Sequence, residues 1–231
     1  MAQGVLALLS ENPDYELAGV VSRSEPVDAD GTRLTGFNWF ASLQEFDAQA
    51  DLLIDFTLPG GTESAARWCG KNGVALLSGT TGLSDSDTIA LQEASRVVAV
   101  LWAPNLSVGI ALLTNLLRQT ASVLGPDADI TISDIHHKYK QDAPSGTALA
   151  LATAITEGMP DNQETELGFI SVREGEVVGD HTINFELPGE IIEISHKALD
   201  RGMFAAGALR AGKWLVNQAP GYYSTKNWLS L

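Results

Sequence analysis

The sequence predicts an α/β chain, with a doubly wound parallel sheet in its first part and an α+β domain carrying a mixed or antiparallel sheet in its second. Three observations predict it. Up to Asn105, apolar runs of strand length alternate with amphipathic runs of helix length, which is the pattern of βα units. Beyond Asn105 the pattern changes to one long amphipathic helix and then to period-2 alternation, which suits antiparallel strands over one covered face. Finally, 231 residues that are 45% hydrophobic and only 19% charged can bury a sizeable core, and wholesale disorder is excluded.

The elements follow in order. Residues 17–21, 52–56, 74–77 and 97–102 read as strands, and their mostly continuous apolar runs suit burial on both faces. Residues 2–10, 63–69 and 84–96 supply helical crossovers. Each strand ends in small or polar residues, notably Ser22-Arg23, Gly79-Thr80-Thr81-Gly82 and Ala103-Pro104-Asn105, where ligands of open parallel sheets bind. The second half opens with a helix at 107–124 and a strand at 130–136, and a second helix starts at Ser145-Gly146-Thr147. Residues 169–173, 176–179, 182–185 and 190–195 read as antiparallel strands, and 203–216 as a closing helix. The expected division is a dinucleotide-binding domain at 1–104 plus the tail 217–231, with a substrate-binding and oligomerisation domain at 105–216.

Charge narrows the partners. Fourteen Lys+Arg against 29 Asp+Glu leave a formal charge of −15, which repels nucleic acid and anionic membrane surfaces alike. An anionic ligand must then be held locally, by a few basic side chains and backbone amides. The single cysteine, Cys69, cannot form an internal disulfide and reads as a buried helical thiol. The start lacks a basic leader, and no apolar run approaches the ~20 residues of a membrane span, so a cytoplasmic location is expected.

The densest polar cluster runs from Asp134 to Thr147 and holds His136, His137, Lys138 and Lys140. His136 and Lys140 share strand parity and lie four apart, so they face one side in either an extended or a helical segment. An imidazole titrating near pH ~6.5 suits proton supply at neutral pH. The helix opening at Pro144-Ser145-Gly146-Thr147 offers amides and a positive dipole end to a carboxylate. Together these describe a pocket for a small anion that must be protonated. The same residues also suit a solvated strand edge followed by a simple helix cap. No Asp, Glu or Cys completes a metal-ligand set, so no metal is expected. His181 and His196, in the alternating strands, read as structural.

These residues resemble the bacterial dihydrodipicolinate (4-hydroxy-tetrahydrodipicolinate) reductase family. The resemblance rests on six ordered blocks: Asp55-Phe-Thr-Leu-Pro59, Gly79-Thr-Thr-Gly82, Ala103-Pro-Asn-Leu-Ser-Val-Gly109, the His136-His137-x-x-Lys140-x-Asp142-Ala-Pro-Ser-Gly-Thr147 run, Val178-Gly-Asp-His-Thr182, and His196-Lys-Ala198 with Arg201 and Phe204. It implies a Rossmann-like nucleotide-binding domain, hydride transfer from NADPH or NADH to a small cyclic imine dicarboxylate in diaminopimelate and lysine biosynthesis, and a homotetramer whose C-terminal sheets pair. It makes His136 the general acid and Lys140 its partner, with His137, Ser145, Gly146 and Thr147 on the substrate carboxylate. Gly79, Thr80, Thr81, Ala103, Pro104, Asn105 and Leu106 would line the nicotinamide side, and Arg23 would read the adenosine ribose. Leu106 stands where the family usually has Phe, and Asp134 where it usually has Glu.

The family begins with a strand and a Gly-x-x-Gly-x-x-Gly loop, and Met1-Ala2 aligns with the end of that loop. The expectation is therefore that the true start lies upstream and that the central first strand and pyrophosphate cradle are missing here. Two alternatives accompany this reading: a truncated, non-catalytic remnant of the family, and a related two-domain NAD(P)-dependent reductase.

Overall fold

A computed structural model describes residues 1–10, 12–28, 30–160 and 166–229. The chain divides into two compact units. One comprises Met1–Pro104 with Ala205–Trp228, and the other is centred on Asn105–Phe204.

The first unit contains helix α1 (Ala2–Leu9), β1 (Val20–Val21), β2 (Trp39–Phe40), β3 (Leu52–Asp55), α2 (Gly61–Asn72), β4 (Ala75–Ser78), α3 (Asp85–Ala94) and β5 (Ala99–Trp102). Near the C-terminus, β10 (Gly221–Tyr223) returns and pairs in parallel with β5. The order is β10-β5-β4-β3, all parallel, and β1 and β2 form a separate parallel pair. Among the described residues β3 pairs only with β4, and β1 only with β2. The doubly wound sheet is thus divided between β1 and β3, the two strands that would flank a central first strand in the Rossmann order. All four residues of β4 are buried, as a strand covered on both faces requires. Its Leu76 packs with Val100, Ala66, Cys69 and Leu91, so Cys69 is a core thiol. Burial pushes its pKa up to about 12.

Three sequence expectations change in this unit. The run 17–21 yields a strand of only two residues, since its sole described partner, β2, is equally short. Neither β2 nor β10 was expected. The helix expected at 203–216 forms as α6 (Gly202–Leu215), but residues 205–216 belong with the first unit rather than the second. The Tyr15 hydroxyl donates to the Leu209 carbonyl, and a Cβ on Gly212 would stand 2.5 Å from Leu52 Cδ2. Glycine there lets α6 pack close to the sheet.

The second unit holds α4 (Val108–Leu124), β6 (Asp129–His136), α5 (Gly146–Gly158), β7 (Leu167–Arg173), β8 (Gly179–Leu187) and β9 (Glu190–Ala198), in the sheet order β7-β6-β8-β9. Serines cap both helices: Ser107 accepts from the Ile110 amide and Ser145 from the Ala148 amide. Strand β7 pairs in parallel with β6, not antiparallel as its alternation suggested, because α5 is a crossover that returns the chain to the same end of the sheet. The expected strand at 176–179 does not form separately, since Gly175, at φ +52°, turns the chain and only Gly179 enters β8. Helices α4 and α5 cover one face, where Ile130 and Ile132 of β6 and Ile183 and Phe185 of β8 meet Leu113, Leu117, Leu151 and Ile155.

Candidate active site

The covered face of the second unit's sheet is apolar at one end and polar at the other. Alternation along β6 places Asp134 and His136 on the side of Ile130 and Ile132. Register brings Ser171 opposite Asp134 and Arg173 opposite His136, and β8 sets His181 against Asp134 on the other flank. His196 of β9 stands opposite His181. The result is a row of ionisable groups across four strands.

Asp134 is 1% exposed. Its carboxylate lies 3.1 Å from His136 Nδ1, accepts the Ser171 hydroxyl at 2.5 Å, and pairs with the Arg173 guanidinium at 3.0 Å. Burial works to raise its pKa, but the Ser171 hydrogen bond and the Arg173 charge outweigh that and hold it below the usual carboxylate range. His136 is held below its ordinary value, first by burial and then by the Lys140 ammonium, with Asp134 opposing both. Its Nε2 side opens towards Gly179, where a Cβ would come within 2.9 Å of that nitrogen. The imidazoles of His136 and His181 meet edge to face at 5.2 Å. Burial, followed by the neighbouring His136, brings His181 down to about 4.

The chain leaves β6 at His136, so the parity argument linking His136 to Lys140 does not apply. A turn in which the Lys140 amide donates to the His137 carbonyl carries the lysine beyond the strand. Lys140 Nζ reaches Asp142 Oδ1 at 2.7 Å. The Asp142 carboxyl is lowered mainly by this lysine, with the Gly146 amide contributing. A carboxylate of the chain itself thus lies against the ammonium and helix end that were expected to receive the substrate's. Ser145 caps α5, and the helix starts at Gly146. The Ser145 hydroxyl is occupied by the Ala148 amide and by His181 Nε2 at 3.2 Å, so it shapes the cradle rather than facing outward. The Gly146 and Thr147 amides precede the first intrahelical donor, and the Thr147 hydroxyl accepts from Asn105 Nδ2 at 3.3 Å. His137 is half-buried, with Nδ1 lacking a partner.

In the first unit, Gly79, Thr80 and Thr81 follow β4, and Ala103 and Pro104 follow the neighbouring β5. Asp55, at the end of β3, is buried and accepts from the Thr57 amide and the Thr62, Ser78 and Thr80 hydroxyls. The Thr80 hydroxyl is thereby committed to holding the turn. The Gly79 amide donates to the Asp55 carbonyl at 2.9 Å, which leaves the Gly79 carbonyl and the exposed Thr81 beside the small residue Ala103. Adjacent strand ends presenting small residues and backbone fit the flat nicotinamide side of a pyridine nucleotide. Leu106 is buried, and Asn105 Oδ1 accepts from the Ser107 amide. Arg23 is exposed just beyond β1. Among the described residues no group of three His, Cys, Asp or Glu is placed to hold a metal ion.

Sequence reasoning gave no role to Asp55, Ser171 or Arg173; His181, read as structural, stands against both His136 and Ser145. The available signal was polar residues at inward positions of otherwise apolar strands, above all Asp134 and His136 continuing the Ile130, Ile132 series.

Comparison with known proteins identifies the family. The family model described as dihydrodipicolinate reductase, N-terminus, matches residues 1–106, and the one described as its C-terminus matches 109–229. The chain belongs to this family. The 4-hydroxy-tetrahydrodipicolinate reductase of Hahella chejuensis is 37% identical over 254 residues, covering 100% of this chain and 95% of that protein. The enzyme of the same description from Myxococcus xanthus is 40% identical over 223 residues, covering 89% and 79%. In fold, the chain matches a dipicolinate-bound dihydrodipicolinate reductase from Paenisporosarcina sp. with a TM-score of 0.79 at 23% identity, covering 97% of this chain and 93% of that one. It is, as a member of the family, an NAD(P)H-dependent oxidoreductase.

Proposed function

We propose that the chain reduces 4-hydroxy-tetrahydrodipicolinate to tetrahydrodipicolinate with NADPH or NADH. The observation that carries this is the convergence of a buried imidazole, a lysine and the amide end of α5 at one end of the second unit's sheet. NAD(P)H supplies the hydride when bound. Gly79, Thr81, Ala103 and Pro104 hold its nicotinamide side, with Asn105 and Leu106 continuing that segment, and Arg23 meets its adenosine ribose. Lys140 and the Gly146 and Thr147 amides bind a carboxylate of the dicarboxylate substrate by charge and helix dipole. In doing so the substrate displaces Asp142 from Lys140. His137 lends a further donor, and His136 delivers the proton from Nε2.

The enzyme is a cytoplasmic homotetramer in this reading, paired through the uncovered face of the second unit's sheet. The test is steady-state turnover of NADPH with freshly generated substrate, beside calorimetric binding of dipicolinate. His136→Gln lowers kcat by ~10²-fold and retains dipicolinate binding, whereas Lys140→Ala loses both. A His136→Gln variant with near wild-type kcat overturns the assignment of the acid.

A further inference from the structure

The two nitrogens of His136 have different surroundings. Nδ1 lies 3.1 Å from Asp134 Oδ2, while Nε2 looks towards the glycine that begins β8. The Asp134 carboxylate is in turn held by the Ser171 hydroxyl and by Arg173. Arg173 reaches further, because its guanidinium also donates to the Asp142 carbonyl. Asp142 begins the short segment that leads into the Ser145 cap and the Gly146 and Thr147 amides. One ion pair, its carboxylate buried and its guanidinium partly so, therefore touches both the imidazole and the chain entering the anion cradle.

Burying such a pair has a cost that packing does not require here. The same face of β6 is filled by Ile130 and Ile132, and apolar residues in place of a buried ion pair are often neutral or stabilising. What the carboxylate provides, and an isoleucine cannot, is direction. An imidazole donating from Nδ1 keeps its exchangeable position on Nε2, and a carboxylate beside it favours the protonated ring.

Resting on the reading of His136 as proton donor, we propose that Asp134 is the positioning residue of this reaction. It fixes His136 with hydrogen on Nδ1 and its titrating site on Nε2 and, through Arg173, holds that ring in register with the carboxylate cradle. The charged and titratable groups facing His136 are Asp134 on its own strand, Arg173 on β7, His181 on β8 and Lys140 in the following turn. Of these, Asp134 alone favours the protonated ring.

The test combines kinetics with a direct view of the ring. In Asp134→Asn, kcat falls by about 10-fold to 100-fold, the alkaline limb of the pH profile moves to lower pH, and dipicolinate affinity changes less than kcat does. Asp134→Glu keeps the carboxylate and returns the limb towards its wild-type position. Long-range 1H–15N correlation on the unsubstituted protein shows neutral His136 protonated at Nδ1, a readout that does not depend on any variant folding. Finding the proton on Nε2, or an Asp134→Asn variant with wild-type kcat and pH profile, overturns the proposal. If His136→Gln itself retains activity, it is the assignment of the acid that fails, and the tautomer spectrum still tests Asp134 separately.

Discussion

His136 is buried beside an ammonium, and both circumstances work against its carrying a proton. A bound dicarboxylate reverses part of this, since it takes over Lys140 and adds negative charge next to the ring. The alkaline limb of kcat, which reports the enzyme–substrate complex, should therefore lie at higher pH than that of kcat/KM, which reports the unliganded enzyme. Coincident limbs across a full pH series would show that the substrate leaves His136 unaffected. Arg23 permits a second test at this scale. It is exposed beyond β1, with no partner among the described residues, while the nearby Glu25 is paired with Arg33. A guanidinium at this position would donate to a ribose 2′-phosphate, so NADPH should bind at least as well as NADH. Arg23→Ala should weaken NADPH about tenfold and barely change NADH; calorimetry showing NADH tighter in the parent protein would refute it. At this scale the sequence disclosed His136, Lys140 and the α5 amides because they are contiguous. It did not disclose Ser171 and Arg173, which register brings in from a strand 37 and 39 positions away from Asp134.

Among the elements, what could be read was what local chemistry determines. The helix expected over 84–96 forms as α3, and the structure shows a complete capping box of Ser84 with Asp87 at its start. Strand pairing is a non-local property, which is why the direction of β7 and the existence of β2 and β10 escaped. Asp87 does more than cap its own helix: its carboxylate also accepts the Gly60 and Glu63 amides at the start of α2, both at 2.9 Å. Burial tends to raise its pKa, but the Ser84, Gly60 and Glu63 hydrogen bonds prevail and bring it to about 2, from 3.8. A carboxyl with a depressed folded pKa contributes stability that is present above the unfolded value and lost as pH falls through the folded one. Asp87→Ala should thus cost on the order of 1–2 kcal/mol at neutral pH, with the difference shrinking from about pH 4 towards pH 2. Thermal melts of the two proteins that stay equally far apart at pH 2 would place the effect elsewhere.

At the scale of the whole molecule, the second unit's sheet has one face packed by α4 and α5 and one face that these helices do not cover. Alternation puts Ile135, Ile170, Val172 and Ile191 on that second face, and Ile170 and Ile191 are well exposed. Asn184, on the same side of β8, has a buried Oδ1 without a hydrogen-bond partner. A chain of net charge −15 resists indiscriminate association, so an apolar sheet face with an unsatisfied acceptor calls for a specific, symmetric contact that both covers the isoleucines and supplies a donor. Multi-angle light scattering should then give the mass of four chains. Ile191→Lys places a charge on this face, where a desolvated ammonium without a partner is strongly unfavourable. It should lower the assembled mass while leaving the helical circular dichroism of the isolated chain intact. A parent protein that elutes as a single chain at assay concentration, or an Ile191→Lys variant that remains a four-chain particle, would show that the sheets do not pair through this face.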